Sequence, residues 1–137
     1  MPTTSEHNVS CTWKDLRFID EHQKSEIGLL ETLMNILNAS YYYGDYQVID
    51  NLLERVEHLM FERFRKEEEK MRRQRYSLLE AHTKDHQVAL SRFMNAQQRW
   101  KRDRDQMQLH WFLERDHYDW YSRHWHYHDH SAAGIIL

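Results

Sequence analysis

The chain predicts an all-α protein, an up-down-up-down bundle of four helices, and three observations lead there. Of 137 residues only three are glycine and one is proline, and the proline is residue 2. Nothing beyond it interrupts a helix rigidly. Runs of β-branched residues are absent, and a strand pattern depends on them. Apolar residues instead recur at steps of three and four along four long stretches, the period of a helix buried on one face.

Residues 1–12 are polar and irregular and read as an N-terminal arm, pinned to the bundle by Trp13. The bundle itself is expected over residues 13–130. Its first helix should cover about 16–40, with an apolar stripe of Ile19, Ile27, Leu30, Met34 and Leu37, widened by Leu29, Leu33 and Ile36. Gln23 falls inside that stripe, and His22 lies about 100° to one side of it. Tyr41, Tyr42, Tyr43 and Gly44 end the helix, with Gly44 as the C-terminal breaker.

Asp45 can cap a second helix running to about residue 75. Its stripe is Ile49, Leu53, Val56, Met60, Arg63, Glu67 and Met71. Two charged residues therefore occupy consecutive core positions, which is costly unless they are paired or bind something. His58 and Glu62 face away from this stripe and read as surface.

Ser77, Leu78, Leu79 and Glu80 spell a capping box, placing a third helix from there to about Trp100. Leu79, His82, His86, Leu90, Phe93 and Gln97 line its inner face. Residues 101–104 read as a charged turn. Asp105 can cap a fourth helix, whose inward set is Leu109, Leu113, His117, Trp120 and His124. Residues 131–137 form a short apolar tail without periodicity.

Composition narrows the function classes. The formal net charge is -3 with both signs interspersed, so there is no electrostatic footprint for nucleic acid. No apolar run is long enough to span a bilayer, and the first ten residues lack the apolar core of a signal peptide. Cys11, the one cysteine, cannot form an internal disulfide, which suits a reducing compartment. A cytoplasmic protein without a membrane partner is the expectation; association into a homo-oligomer stays open.

The stretch 63–86 organises the chemistry. His82 and His86 are four apart, so on a helix they stack on one face and can hold one metal ion. Glu67 precedes His82 by fifteen residues, enough to finish one helix, turn, and bring a second alongside. A carboxylate on one helix facing a histidine pair on its neighbour is how helical bundles build buried metal sites. The bland alternative is two solvated charged helices in a chain that holds eleven histidines. His117 reads as core or as a support to the site, and His126, His128 and His130 as solvated.

These residues resemble a family. Phe64, Glu67, Glu68 and Met71, then His82 and His86, then Trp120, His124 and Asp129, are spaced as in the hemerythrins, four-helix bundles that bind oxygen at two non-haem irons. Residues 19–24 (Ile-Asp-Glu-His-Gln-Lys) resemble that family's first-helix signature, and Trp13 its N-terminal tryptophan. The resemblance implies that one metal takes His82, His86 and His124, with Glu67 and Asp129 as carboxylate ligands. The second metal of the family takes one histidine from each of the first two helices. Gln23 and Arg63 stand at those positions here.

Arg63 cannot be deprotonated in a protein, so it cannot be a ligand, and its fork suits carboxylates. It can fill the lost metal's place and bond Glu67 and Asp129. One divalent ion beside Arg63 and two carboxylates sums to the same charge as two divalent ions, two carboxylates and a hydroxide. One ion is therefore expected, with iron favoured and manganese or zinc compatible with the same nitrogen and oxygen ligands. A small shift of the first helix would let His22 supply a further ligand and admit a second ion. The other alternative is a metal-free core in which Arg63 neutralises the carboxylates.

The expected function is that of a hemerythrin-like iron protein that binds or senses dioxygen or a related small molecule. Reversible oxygen carriage in the family takes one electron from each of two irons, which a one-metal site does not offer. An oxygen-dependent non-haem iron oxidase or oxygenase acting on a small substrate is the second reading. A metal-free interaction bundle is the third.

Overall fold

The computed structural model describes residues 21–38 and 42–124, with the side chains of Glu21 and His22 set apart from that description. The expected arm, Trp13, Ile19, Asp129, His126, His128, His130 and the tail lie outside the described residues, as do the expected outer boundaries of the bundle. The described part is helical and holds no strand. It comprises α1 (Glu21–Leu37), α2 (Tyr46–Arg73) and α3 (Leu79–Asp103). A fourth helical rod follows, made of α4 (Gln106–Trp111), a π-helical segment (Phe112–His117) and α5 (Tyr118–His124). α2 packs on both α1 and α3, and the fourth rod packs on α1 and α3.

α2 follows the predicted pattern closely. Asp45 caps it by accepting a hydrogen bond from the Gln47 amide. All seven residues of the expected stripe are buried, Arg63 and Glu67 included. The helix closes after Arg73, two residues earlier than expected, because Arg75 turns left-handed (φ 54°). The Tyr76 amide then bonds the Met71 carbonyl (2.9 Å) and the Arg75 amide bonds the Arg72 carbonyl (3.1 Å). That is a Schellman closure, with arginine where glycine is usual.

The ends of α3 differ from the sequence reading. The capping box does not form: α3 starts at Leu79 without a side-chain cap. The turn that leaves α2 already supplies backbone acceptors, from Tyr76 to the Leu79 amide and from Leu78 to the His82 amide. Ser77 is left exposed outside the helix. At the other end, residues 101–103 are helical rather than a turn, Lys101 and Arg102 being good helix formers, and all three side chains are exposed. The stop is Arg104, left-handed at φ 49°. Its guanidinium forks onto Asp50 (2.7 and 3.2 Å) and lies over the Tyr46 and Trp100 rings. Trp100 Nε1 donates to the same carboxylate (2.8 Å). This lock ties the start of α2 to the end of α3.

Gly44 is not a left-handed breaker, since no described glycine has a positive φ. Its role is steric: a Cβ there would collide with the end of the Tyr42 side chain. The Tyr42 hydroxyl donates to the Asp45 carbonyl (3.0 Å), and its amide donates to Gln106 Oε1 (3.0 Å). Gln106 in turn donates to the Leu37 carbonyl (3.0 Å), joining the end of α1 to the start of α4.

Asp45 has a counterpart in Asp105, which caps α4 through the Gln108 amide. Within the fourth rod, Leu109, Leu113 and His117 are all buried at steps of four. On an α-helix each such step overshoots one turn by about 40°. The π segment winds more residues into each turn, cancels that drift, and keeps Leu113 and His117 facing inward. The aliphatic core of Leu30, Leu33, Ile49, Leu53, Val56 and Leu113 fills the middle of the molecule. Asp50 and Glu67 are seventeen residues apart on α2, so the Arg104 lock and the charged core lie about 25 Å apart.

Candidate metal centre

Three elements bring the charged core together. Near the end of α2, Arg63 and Glu67 point inward; the first two turns of α3 present His82 and His86; the last turn of α5 presents His124. Each is nearly inaccessible to solvent: His82 0%, Arg63 and His86 1%, His124 2%, Glu67 3%. One ligand atom from each of Glu67, His82, His86 and His124 can be chosen so that all four lie within 4.8 Å of one another.

The spacing suits an ion. Glu67 Oε1 is 3.3 Å from His86 Nε2 and 3.7 Å from His82 Nε2. Two ligand bonds of about 2.1 Å meeting near a tetrahedral angle put their outer atoms about 3.4 Å apart.

Two imidazoles are oriented for ligation. His86 Nδ1 lies 2.6 Å from Glu68 Oε2, and His124 Nδ1 lies 2.6 Å from Asp85 Oδ2. A carboxylate that accepts a hydrogen bond from Nδ1–H keeps the ring proton on that nitrogen and leaves the Nε2 lone pair for the centre. Packing holds the planes: His86 stacks on Phe64 (3.8 Å, 6°) and His124 on Trp120 (4.6 Å, 17°). The three imidazoles crowd one another at 4.5–4.8 Å between centroids.

Arg63 is tied to two buried carboxylates. Nε and Nη2 meet Glu26 Oε2 and Oε1 at 2.5 and 3.2 Å, and Nη1 meets Glu67 Oε2 at 3.1 Å. The sequence pairs Arg63 with Glu67 and Asp129; the first contact is present, and Asp129 lies outside the described residues. In the structure the second carboxylate is Glu26, wholly buried on α1. A signal existed, because Glu26 follows Gln23 by three and precedes Leu30 by four, as a stripe residue should. Glu68 and Asp85 were also missed, though a ligating histidine ordinarily gives its second nitrogen to such a group.

Electrostatics follow from burial and these pairs. Burial opposes the charge of Glu67, but Arg63 and the facing histidines hold its carboxyl well below the ordinary range. Burial likewise opposes the Arg63 charge, yet Glu26 and Glu67 keep it firmly protonated. Arg63 balances one of its two carboxylates and leaves one buried negative charge beside three imidazoles. Apart from the imidazole nitrogens that face it, Glu67 Oε1 has no hydrogen-bond partner, and His86 Nε2 has none beyond that oxygen. Orphaned acceptors around an unbalanced charge are costly in a dry core. A divalent cation answers both, so the residues present fit a metal.

Of the other predicted residues, Gln23 is fully buried on α1, as its place in the stripe requires. The His22 side chain and Asp129 lie outside the described residues. His58 is exposed and Glu62 half-buried, in keeping with a surface role. His117 is buried between Phe112 and Trp120, stacked on both, so it belongs to the core and not to the ligand cluster. Burial, with the Arg63 charge, pushes its pKa down to about 3.

Among the described residues no helix is long and apolar enough to cross a membrane. No model of a known protein family matches the chain, and no curated protein or solved structure matches it either.

Proposed function

We propose that this chain is a hemerythrin-like, non-haem metal protein that holds one ion, iron favoured, and binds or senses dioxygen or a related small molecule. The observation that supports this reading best is the convergence of Glu67, His82, His86 and His124 from three helical stretches. Those are the positions at which the resemblance puts the ligands of one metal. The short links at 74–78 and 104–105, with α2 packed between α1 and α3, suit an up-down-up-down bundle.

Glu67 would offer one oxygen and the three histidines their Nε2 atoms. Bound ferrous iron supplies an electron-rich centre with affinity for small diatomic molecules. The protein contributes the surroundings. Phe64 and Trp120 cover the imidazoles with apolar rings, which excludes water and lowers the local dielectric. Arg63 keeps a fixed positive charge beside Glu67, where it stabilises negative charge near the centre. Glu68 and Asp85 hold the ring protons of His86 and His124 on the outer nitrogens.

The test is direct. Protein reconstituted anaerobically with one equivalent of ferrous iron should show a new absorption band on exposure to nitric oxide or oxygen. His86→Ala protein treated alike should show none. Iron uptake without any spectral response to either gas would leave a metal site and remove the sensing role.

A further inference from the structure

Arg63 is shared unequally. Glu26 holds it through two donors, at 2.5 and 3.2 Å, whereas Glu67 meets only Nη1, at 3.1 Å and through Oε2 alone. The other oxygen of Glu67, Oε1, turns to the histidines, 3.3 Å from His86 and 3.7 Å from His82. A guanidinium left with a single carboxylate prefers to grip both of its oxygens through two parallel hydrogen bonds. Four residues separate Arg63 and Glu67 on one face of α2, so that grip is sterically within reach. Glu26, from the neighbouring α1, prevents it by keeping the Nε edge of the fork.

We infer that Glu26 is a positioning residue for the metal centre: by holding Arg63 it reserves Glu67 Oε1 for the ion. Glu26 is not one of the four residues of the cluster, and the bonds that join it to the site run through Arg63. The inference rests on the metal-binding reading and deepens it. It assigns to α1 control over a site whose identified ligands come from α2, α3 and α5. It also carries a sign that a merely structural role lacks. Loss of Glu26 weakens metal binding because Arg63 becomes a competitor, so removing Arg63 as well restores binding.

Zinc affinity, measured by competition with a chromophoric chelator, tests this on the wild type, Glu26→Gln, and the Glu26→Gln/Arg63→Met double variant. Glu26→Gln should bind zinc about 10–100-fold more weakly, the range for losing a group that orients a ligand. The double variant should recover most of that loss. Unchanged affinity in Glu26→Gln overturns the inference, as does a double variant no tighter than the single one. A wild type that takes up no zinc or iron overturns the metal reading itself, and the inference with it. Should Glu26→Gln fail to fold, a crystal structure of the metal-loaded wild type serves instead. It should show Glu67 ligating through one oxygen, with the other on Arg63 and Arg63 on Glu26. Ligation through both oxygens overturns the inference.

Discussion

Replacing Arg63 by methionine keeps much of the side-chain volume and removes the charge. Glu26 (0% exposed) and Glu67 (3%) would then face each other in the core without a counter-ion. Breaking a buried ion pair in this way costs about 3–5 kcal/mol, a large part of the ~5–15 kcal/mol that usually stabilises a domain. Urea unfolding of the metal-free proteins at pH 7 measures it. The pH dependence then separates charge from packing. In the wild type, Arg63 holds the Glu67 pKa below its unfolded value. That stabilisation is present above the unfolded pKa of about 4.3 and is lost as pH falls below it. In Arg63→Met burial is left without that counter-charge and should drive the two carboxylates toward protonation, so their penalty should fade as pH drops. The gap between the two proteins should therefore narrow on acidification. Glu26→Gln/Arg63→Met, which removes both charges of the tighter pair, should lie much closer to the wild type than Arg63→Met does. A loss below about 1 kcal/mol for Arg63→Met, or a gap that does not change with pH, would refute the reasoning.

Three further outcomes are expected. His82→Ala or His86→Ala should abolish metal binding and remove the stabilisation that metal confers, about 2.7 kcal/mol at a hundredfold excess over Kd; His58→Ala, on the exposed face, should do neither, as chelator competition and thermal melts would show. His117 stays neutral in the fold because its pKa is pushed from 6.5 down to about 3. Its contribution is complete above pH 6.5 and falls away as pH drops toward 3, by about 2 kcal/mol at pH 5. His117→Leu should flatten that part of the pH profile in urea melts. Arg75 sits left-handed at φ 54°, so Arg75→Gly should stabilise the protein by about 1 kcal/mol in the same assay.

Much of this was legible in the residues, for reasons specific to each element. The stripe of α2 steps by three and four without a break, so burial of Arg63 and Glu67 followed from period alone. His82 and His86 are one turn apart on a helix that must pack on α2, and their convergence with Glu67 needs only that packing. Glu26 was harder to see. Ile27 beside it satisfies the same periodicity, and only the demand of a buried guanidinium for a second carboxylate separates the two. The π segment has no sequence signal of its own; it arises because Leu109, Leu113 and His117 step by fours and must still face inward. The capping box failed because backbone bonds of the Arg75–Tyr76 turn took over the start of α3, a tertiary choice that a four-residue motif cannot reveal. Gly44 reads in the sequence as a site of backbone freedom, whereas the structure places the Tyr42 ring where a Cβ would go, so a side chain there would have to displace that ring.

The central claim is one ion held by Glu67, His82, His86 and His124. Elemental analysis tests it most directly, on wild-type and His86→Ala chains produced without a histidine tag in medium containing iron, manganese and zinc. The account predicts close to one transition-metal ion per wild-type chain and almost none in His86→Ala. A wild type without metal, a variant that keeps it, or two ions per wild-type chain would contradict the account.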